Sequence, residues 1–211
     1  MKVNAVIFDL DGTLTEPVLD FGKIRSEMGI DSDSKDILVA MEAMDPIRQK
    51  QAQSVLARHE YHAAQHSQLN DGVAELLSEL RKRKIPIGLL TRNTRENTLF
   101  VARRHQLCFD AIVARHDGPA KPNAYGVLEL CRQFNSNPAE TLVVGDFLHD
   151  LLSAQNAGAI PVLIKTHPKA EDYQVHADYS ISQMSELLDI INTTARFETV
   201  ALIVTHFLLR S

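Results

Sequence analysis

The sequence predicts an α/β fold, a parallel sheet flanked by helices, with a small helical cap inserted after the first strand. Short apolar runs alternate with helical patterns along the chain, which is typical of a parallel sheet with crossover helices. Several of these runs show no polar alternation, as expected for strands covered on both faces. The predicted strands are residues 3–8, 85–90, 111–114, 141–144 and 160–164.

The helices between the strands have recognisable ends. Asp71 is the expected N-cap of a helix that runs through Leu80, and Thr94 that of a helix that runs through His105. Gly158 is expected to end the helix that follows the fourth strand, since glycine readily adopts the left-handed backbone of a helix C-terminus.

One long interval does not fit simple alternation. Residues 14–84 contain only helical patterns, although a single crossover helix would be enough to return the chain to the sheet. Asp45 followed by Pro46 predicts the start of a helix that continues to about His66. The predicted domains are a core of residues 1–14 and 70–195, a helical cap of residues 15–69, and a tail of residues 196–211 packed on the core or on a partner.

Composition narrows the class of protein. With 211 residues, 45% of them hydrophobic, and a net charge of −5, the chain has the make-up of a globular domain without the basic surface of a nucleic-acid binder. It contains no apolar run of about 18 residues, so no membrane span is predicted. Cys108 and Cys131 are too few for a disulfide framework and are interpreted as reduced thiols of a cytoplasmic protein.

Carboxylates follow two of the predicted strands. Asp9 and Asp11 come directly after the first strand, and Gly12 permits a sharp turn behind them. Asp146 and Asp150 follow the fourth strand in the same way. Ligands of open parallel sheets bind at the carboxyl ends of the strands, so these acids are candidates for one site. A plain turn and a helix cap at Asp146 are the structural alternatives.

Two further polar residues complete the pattern. Thr91 ends the second strand, and Lys121 lies in a loop between two prolines. Taken singly, a threonine at a strand end and a loop lysine are ordinary. Four carboxylates in one cleft, however, would repel each other unless a cation and a lysine neutralised them. Because the ligands would be oxygens only, Mg²⁺ is favoured over zinc.

The order DxDGT, Thr, Lys-Pro and GDxxxD resembles the haloacid dehalogenase superfamily, and most closely its phosphoglycolate-phosphatase-like hydrolases. The resemblance extends over residues 2–188 and implies a Rossmann-like core with a small C1-type helical cap after the first motif. It also implies that Asp9 is the nucleophile, that Asp11 is the general acid and base, and that Thr91 and Lys121 hold phosphoryl oxygens. Phe147 departs from the pattern, in which a small hydroxyl residue is common at this position.

The same resemblance implies a magnesium site and an anion cradle. The carboxylate of Asp9, the backbone carbonyl of Asp11 and the carboxylate of Asp146 would hold Mg²⁺, with Asp150 supporting it directly or through water. The expected substrate-binding residues are Gly12, Arg92 and Asn93. Backbone N–H groups near Gly12 and Arg92 are expected to face the phosphoryl group.

The sequence therefore predicts a magnesium-dependent phosphatase that hydrolyses a small phosphate monoester, a small phosphorylated metabolite, through a phospho-aspartyl intermediate. The acid at Asp11 separates it from relatives that cleave carbon–halogen bonds, because halide leaves without a proton. A sugar-phosphate mutase and a non-catalytic phospho-ligand-binding or receiver-like protein are the alternatives. A monomer and a homodimer are both compatible with the sequence.

Overall fold

A computed structural model describes residues 2–31 and 36–194. Within them, six strands form one sheet in which every neighbouring pair is parallel. The strands are β1 (Ala5–Phe8), β2 (Ile87–Leu90), β3 (Ala111–Val113), β4 (Thr141–Gly145), β5 (Ile160–Ile164) and β6 (Tyr179–Ile181). Their order is β3-β2-β1-β4-β5-β6, so the predicted Rossmann-like parallel sheet is confirmed.

Helices connect successive strands of the sheet. They are α1 (Phe21–Met28), α2 (Ile37–Glu42), α3 (Pro46–His66), α4 (Val73–Lys82), α5 (Arg95–Arg104), α6 (Tyr125–Phe134), α7 (Leu148–Ala157) and α8 (Ala170–Tyr173). Residues 186–194 are also helical. Short 3₁₀ turns occupy Pro138–Glu140 and Gln174–His176.

The central strands are buried along their whole length, which explains why their sequences do not alternate. Every residue of β1, β2, β4 and β5 is buried. Helices cover both faces of such a sheet, so both sets of side chains must be apolar. The strand β6, in contrast, was not predicted from the sequence, because it has only three residues and is partly exposed.

The helix ends agree with the sequence patterns except at α4. Thr94 caps α5, with its side chain accepting from the Asn97 N–H, and Gly158 ends α7 in the left-handed conformation. The prediction that Asp71 caps α4 is wrong. Gly72 holds that position with φ of 78° and without a side-chain cap, so the helix begins at Val73.

Residues from Val18 to Ser67 form a compact unit of their own, built from α1, α2 and α3. Asp45 caps α3 and Pro46 is its first residue, as predicted. Among its described residues, a small core is formed by the buried side chains of Ile24, Met28, Ile37, Met41, Ala52 and Leu56. The predicted cap of residues 15–69 extends a few residues beyond this unit at each end, where Thr15 forms isolated bridges with Asp11 and Leu69.

In the part of the chain that the structure describes, no helix is both long and apolar enough to cross a membrane. The predicted tail, residues 196–211, lies outside the described residues, so its packing stays a prediction.

Candidate active site

The sheet order brings the predicted site residues together. Strand β1 lies between β2 and β4, so the residues after these three strands lie side by side at one edge of the sheet. The strands β2 and β3 lie on one side of β1, and β4, β5 and β6 lie on the other. Open α/β sheets bind their ligands at the point where the strand order reverses in this way. Asp9 follows β1, Thr91 follows β2, and Asp146 follows β4.

Lys121 contacts two acids, Asp9 after β1 and Asp150 in α7 after β4. Its Nζ donates to Asp9 Oδ1 at 2.5 Å, to Asp150 Oδ1 at 2.5 Å and to the carbonyl of Leu90 at 2.9 Å. Only 4% of its side chain is exposed. This lysine is therefore a buried charge that is fully satisfied by the site, and the alternative of a solvated loop lysine is wrong.

Asp150 also organises the start of α7. Its Oδ2 accepts the backbone N–H of Phe147 at 3.1 Å, while its Oδ1 accepts from Lys121. The N-cap of α7 is Phe147, and its N–H is bonded by Asp150, so the alternative that Asp146 caps this helix is wrong. Gly145 allows this packing, since a Cβ at that residue would lie 2.2 Å from the Cβ of Asp150.

The carboxylate of Asp146 packs against the turn after β1. Its Oδ1 accepts the hydroxyl of Thr13 at 3.2 Å. Gly12 has φ of 90°, and a Cβ there would lie 2.5 Å from Asp146 Oδ2. The glycine is thus needed twice, for its left-handed backbone and for the space that the carboxylate occupies.

Three of these acids form a cluster suited to a cation. One carboxylate oxygen from each of Asp9, Asp146 and Asp150 lies within 4.8 Å of the others, and all three residues are buried. Oxygen donors without histidine or cysteine are the ligands of a hard divalent cation. Lys121 supplies a single positive charge against the three acids, so the residues present fit a divalent cation.

The carboxylate of Asp11 is not part of that cluster. It accepts from Asn93 Nδ2 at 3.0 Å, on the β2 side of Asp9. The Asn93 backbone N–H in turn donates to Thr91 Oγ1 at 3.0 Å. A ligand role for Asp11 would have to come from its backbone carbonyl, as the sequence analysis expected, and its side chain is available for proton transfer.

Burial and mutual repulsion raise the pKa values of the acids. Desolvation raises the pKa of Asp9 to about 7, with Lys121 opposing the rise and Asp150 adding to it. The pKa of Asp146 rises to about 8 through burial and the nearby charges of Asp150 and Asp9. Burial also raises the pKa of Asp11, against the hydrogen bond from Asn93. The site is short of positive charge.

Two residues that the sequence analysis missed hold the turn in place. Asn70 Nδ2 donates to the carbonyls of Gly12, Thr13 and Thr15, at 3.3, 2.7 and 3.1 Å. The hydroxyl of Thr166 donates to the Gly12 carbonyl at 2.6 Å. Thr166 comes shortly after β5, so a polar residue beyond a strand end was the signal that could have found it. Asn70 has no such signal.

A second arginine and a histidine also lie at this edge without having been predicted. Arg115, which follows β3, donates from Nε to the Arg92 carbonyl at 2.6 Å. Its charge also lowers the pKa of Asp11, against the dominant effect of burial. Arg92 Nη1 lies 2.6 Å from Nδ1 of His149, the second residue of α7.

Comparison with known proteins assigns this arrangement to a family. The sequence profile described as haloacid dehalogenase-like hydrolase matches residues 3–158, which includes every predicted site residue. The chain belongs to the haloacid dehalogenase-like hydrolase family. The predicted superfamily and the prediction of a hydrolytic enzyme are thereby confirmed.

Relatives of this haloacid dehalogenase-like hydrolase cover nearly its whole length. It is 30% identical to a haloacid dehalogenase-like hydrolase domain-containing protein of Arabidopsis thaliana, over 91% of this chain and 85% of that protein. It is 29% identical to pyrophosphatase PpaX of Halalkalibacterium halodurans, over 93% of this chain and 100% of the relative. A phosphoglycolate phosphatase of Chromobacterium violaceum is 26% identical, over 91% of this chain and 96% of that protein.

A solved structure shows the same fold. A hydrolase from Pseudomonas syringae superposes with a TM-score of 0.78 over 90% of this chain and 98% of that chain, at 19% sequence identity. At this identity the likeness concerns the fold alone.

Proposed function

We propose that this hydrolase is a magnesium-dependent phosphatase that cleaves a small phosphate monoester through a phospho-aspartyl intermediate at Asp9. The observation that carries the proposal is the position of the Asp9 carboxylate. It is buried at the switch point of the sheet, contacts Lys121 at 2.5 Å, and lies beside the carboxylates of Asp146 and Asp150. Relatives named as phosphatases support the reaction class.

In the first step, a carboxylate oxygen of Asp9 attacks the phosphorus atom, and the bond from phosphorus to the ester oxygen breaks. Asp11 donates its proton to that leaving oxygen. Burial raises the pKa of Asp11, which favours the protonated form needed here. The hydrogen bond from Asn93 holds the carboxyl group in place.

In the second step, water attacks the phosphorus atom of the aspartyl phosphate, and Asp11, now ionised, accepts a proton from that water. Inorganic phosphate leaves and the Asp9 carboxylate is restored. Lys121 and Thr91, both buried, would face the negative charge of the transferring group together with the backbone N–H groups near Gly12.

The groups that would hold Mg²⁺ are the carboxylates of Asp9, Asp146 and Asp150, with the Asp11 carbonyl as an expected further ligand. A bound Mg²⁺ would neutralise charge on these acids and on a phosphate oxygen. A cytoplasmic location and the choice between monomer and homodimer stay predictions.

The test is phosphate release from a panel of small phosphate monoesters, with Mg²⁺ and with EDTA. The native chain is expected to release phosphate only with Mg²⁺, Asp9→Asn to be inactive, and Asp11→Asn to be strongly impaired. The matched control is Asp189→Asn, an exposed acid in the helix over residues 186–194.

A short incubation with substrate and Mg²⁺, quenched in acid and followed by peptide mass spectrometry, should place one phosphoryl group on Asp9. Equal activity of the native chain and Asp9→Asn would overturn the proposal. Interconversion of sugar phosphates that needs a bisphosphate activator and releases no inorganic phosphate would favour the mutase instead.

A further inference from the structure

The side-chain amide of Asn93 is held in one orientation by two donors on its oxygen. Asn93 Oδ1 accepts the backbone N–H of Thr94 at 2.8 Å and Nδ2 of Asn97 at 3.1 Å. A backbone N–H can only donate, so the atom that faces it must be the amide oxygen. The amide nitrogen of Asn93 therefore points the other way, where it donates to Oδ2 of Asp11 at 3.0 Å.

Asn97 makes its contact from the first turn of α5. It is the third residue of that helix, and its backbone N–H donates to the side chain of the N-cap, Thr94, at 3.3 Å. Asn93 and Asn97 are only 4% and 7% exposed, so a lost partner would leave a buried polar group unsatisfied. Because Thr94 already caps the helix, the side-chain amide of Asn97 is not needed for capping.

The direction of the last hydrogen bond distinguishes the two carboxyl oxygens of Asp11. The amide nitrogen of Asn93 is a donor, so Oδ2 of Asp11 is the acceptor. A protonated carboxyl group accepts best through its carbonyl oxygen, which favours the proton on Oδ1. Among the residues that the structure describes, no hydrogen bond is made to Oδ1. This oxygen is therefore left to act on a substrate.

From this geometry, and resting on the proposed function, we infer that Asn97 is a positioning residue for the general acid. Through Asn93, it keeps Oδ2 of Asp11 as an acceptor. Oδ1 is then left to transfer its proton to the ester oxygen as the bond from phosphorus to that oxygen breaks. If the amide of Asn93 turned over, its oxygen would face Asp11, accept that proton and hold it away from the leaving group.

The test reverses the polarity of the contact at Asn97. In Asn97→Asp, a carboxylate would face Oδ1 of Asn93, and the repulsion would favour the turned amide. In Asn97→Leu, the N–H of Thr94 still holds that oxygen, so the effect should be smaller. An acidic residue is favourable in the first turn of a helix, so a purely helix-stabilising role of Asn97 predicts the opposite order.

The measured quantity is the leaving-group ratio, kcat/KM for para-nitrophenyl phosphate divided by that for phenyl phosphate. Nitrophenolate leaves readily without a proton, whereas phenolate is a stronger base and gains more from protonation. General acid catalysis contributes about 10²–10⁴-fold, so a misdirected proton in Asn97→Asp should raise the ratio by about 10-fold. The matched control is Thr98→Val, which removes a hydrogen bond to the Thr94 carbonyl in the same turn of α5 and should leave the ratio unchanged.

A double-mutant cycle gives a readout that does not depend on turnover. Urea unfolding in EDTA compares the native chain, Asn97→Leu, Asp11→Ala and the double variant. Because the contacts run from Asn97 through Asn93 to Asp11, the two changes should depart from additivity by about threefold or more in the unfolding equilibrium constant. Thr98→Val combined with Asp11→Ala should be additive.

The outcomes separate this inference from the proposed function. An unchanged leaving-group ratio in Asn97→Asp, or additive effects in the cycle of Asn97→Leu with Asp11→Ala, would overturn the inference and leave the phosphatase proposal intact. If the native chain hydrolyses other esters but neither aryl ester, the cycle decides the inference. If the native chain releases no phosphate from any ester, the proposed function fails, while non-additivity would still support the link from Asn97 to Asp11.

Discussion

Removal of the Lys121 charge is the most informative perturbation of this molecule. In Lys121→Met the side chain keeps most of its length and loses its ammonium group. The carboxylates of Asp9 and Asp150, each 2.5 Å from Nζ, would then be buried with no cationic partner at that position. The change therefore tests whether the lysine holds the acidic site together or merely lies beside it.

The size of the effect follows from burial. The Lys121 side chain is 4% exposed, and its partners Asp9 and Asp150 are 11% and 4% exposed. Removing one partner of a buried ion pair costs about 3–5 kcal/mol, because an uncompensated charge remains. Lys165→Met is the matched control, since Lys165 pairs at 3.2 Å with a Glu171 side chain that is 80% exposed. For such a surface pair the expected loss is at most about 1 kcal/mol.

The loss should also depend on pH. The pKa of Asp9 is raised to about 7 by burial even with Lys121 present, so removing the lysine must raise it further. A carboxyl group whose pKa is raised in the folded state contributes stability that is fully present below its unfolded pKa. That contribution is lost as the pH rises through the folded pKa. Lys121→Met should therefore be weakened most at pH 8 and least at pH 5.

The assay is urea unfolding of the native chain and both variants at pH 5 and pH 8, in EDTA. Lys121→Met is expected to lose about 3–5 kcal/mol at pH 8 and clearly less at pH 5, while Lys165→Met changes little at either. If Lys121→Met does not fold at pH 8, the comparison at pH 5 still yields a free energy. A Lys121→Met protein as stable as Lys165→Met at pH 8 would refute the reasoning.

Three further predictions follow from the turn after β1 and the acids beside it. Gly12→Ala should abolish Mg²⁺ binding, measured by calorimetry, because its Cβ would lie 2.5 Å from the Asp146 carboxylate. Gly158→Ala is the control, since Gly158 has φ of 71° but a Cβ there would have nothing within 4 Å. It should lower the free energy of unfolding only by the backbone strain of about 1–2 kcal/mol. Equal Mg²⁺ affinity in the two variants would contradict this. Burial raises the pKa of Asp146 to about 8, so the metal-free chain loses stability as the pH rises toward 8. The increase in Tm on adding Mg²⁺ should therefore be larger at pH 8.5 than at pH 6. An equal increase at both pH values would count against the site. Thr166→Val and Thr98→Val each remove a partly buried hydrogen bond from a hydroxyl to a carbonyl and should each cost about 1 kcal/mol. Only Thr166→Val should lower kcat, and a normal kcat would show that the turn needs no such support.

Much of the fold is visible in the sequence because local patterns dictate it. The buried strands appear as apolar runs, since both faces of β1 and β4 are covered, and α3 begins at Asp45 and Pro46. The errors lie where local signals are weak. The strand β6 is short and half exposed, and the start of α4 depends on the left-handed backbone of Gly72 rather than on a side-chain cap.

The sequence by itself determined which side chains follow the strands, namely the acids after β1 and β4, Thr91 after β2 and a lysine in a loop. Only the tertiary structure decided that Lys121 contacts both Asp9 and Asp150, and that Arg92 reaches His149. It also decided that Asp150, and not Asp146, accepts the N–H at the start of α7. The physical reason is distance along the chain. A strand end or a cap depends on neighbouring residues, whereas the contact of Lys121 with Asp9 joins residues 112 positions apart and exists only once the sheet has formed.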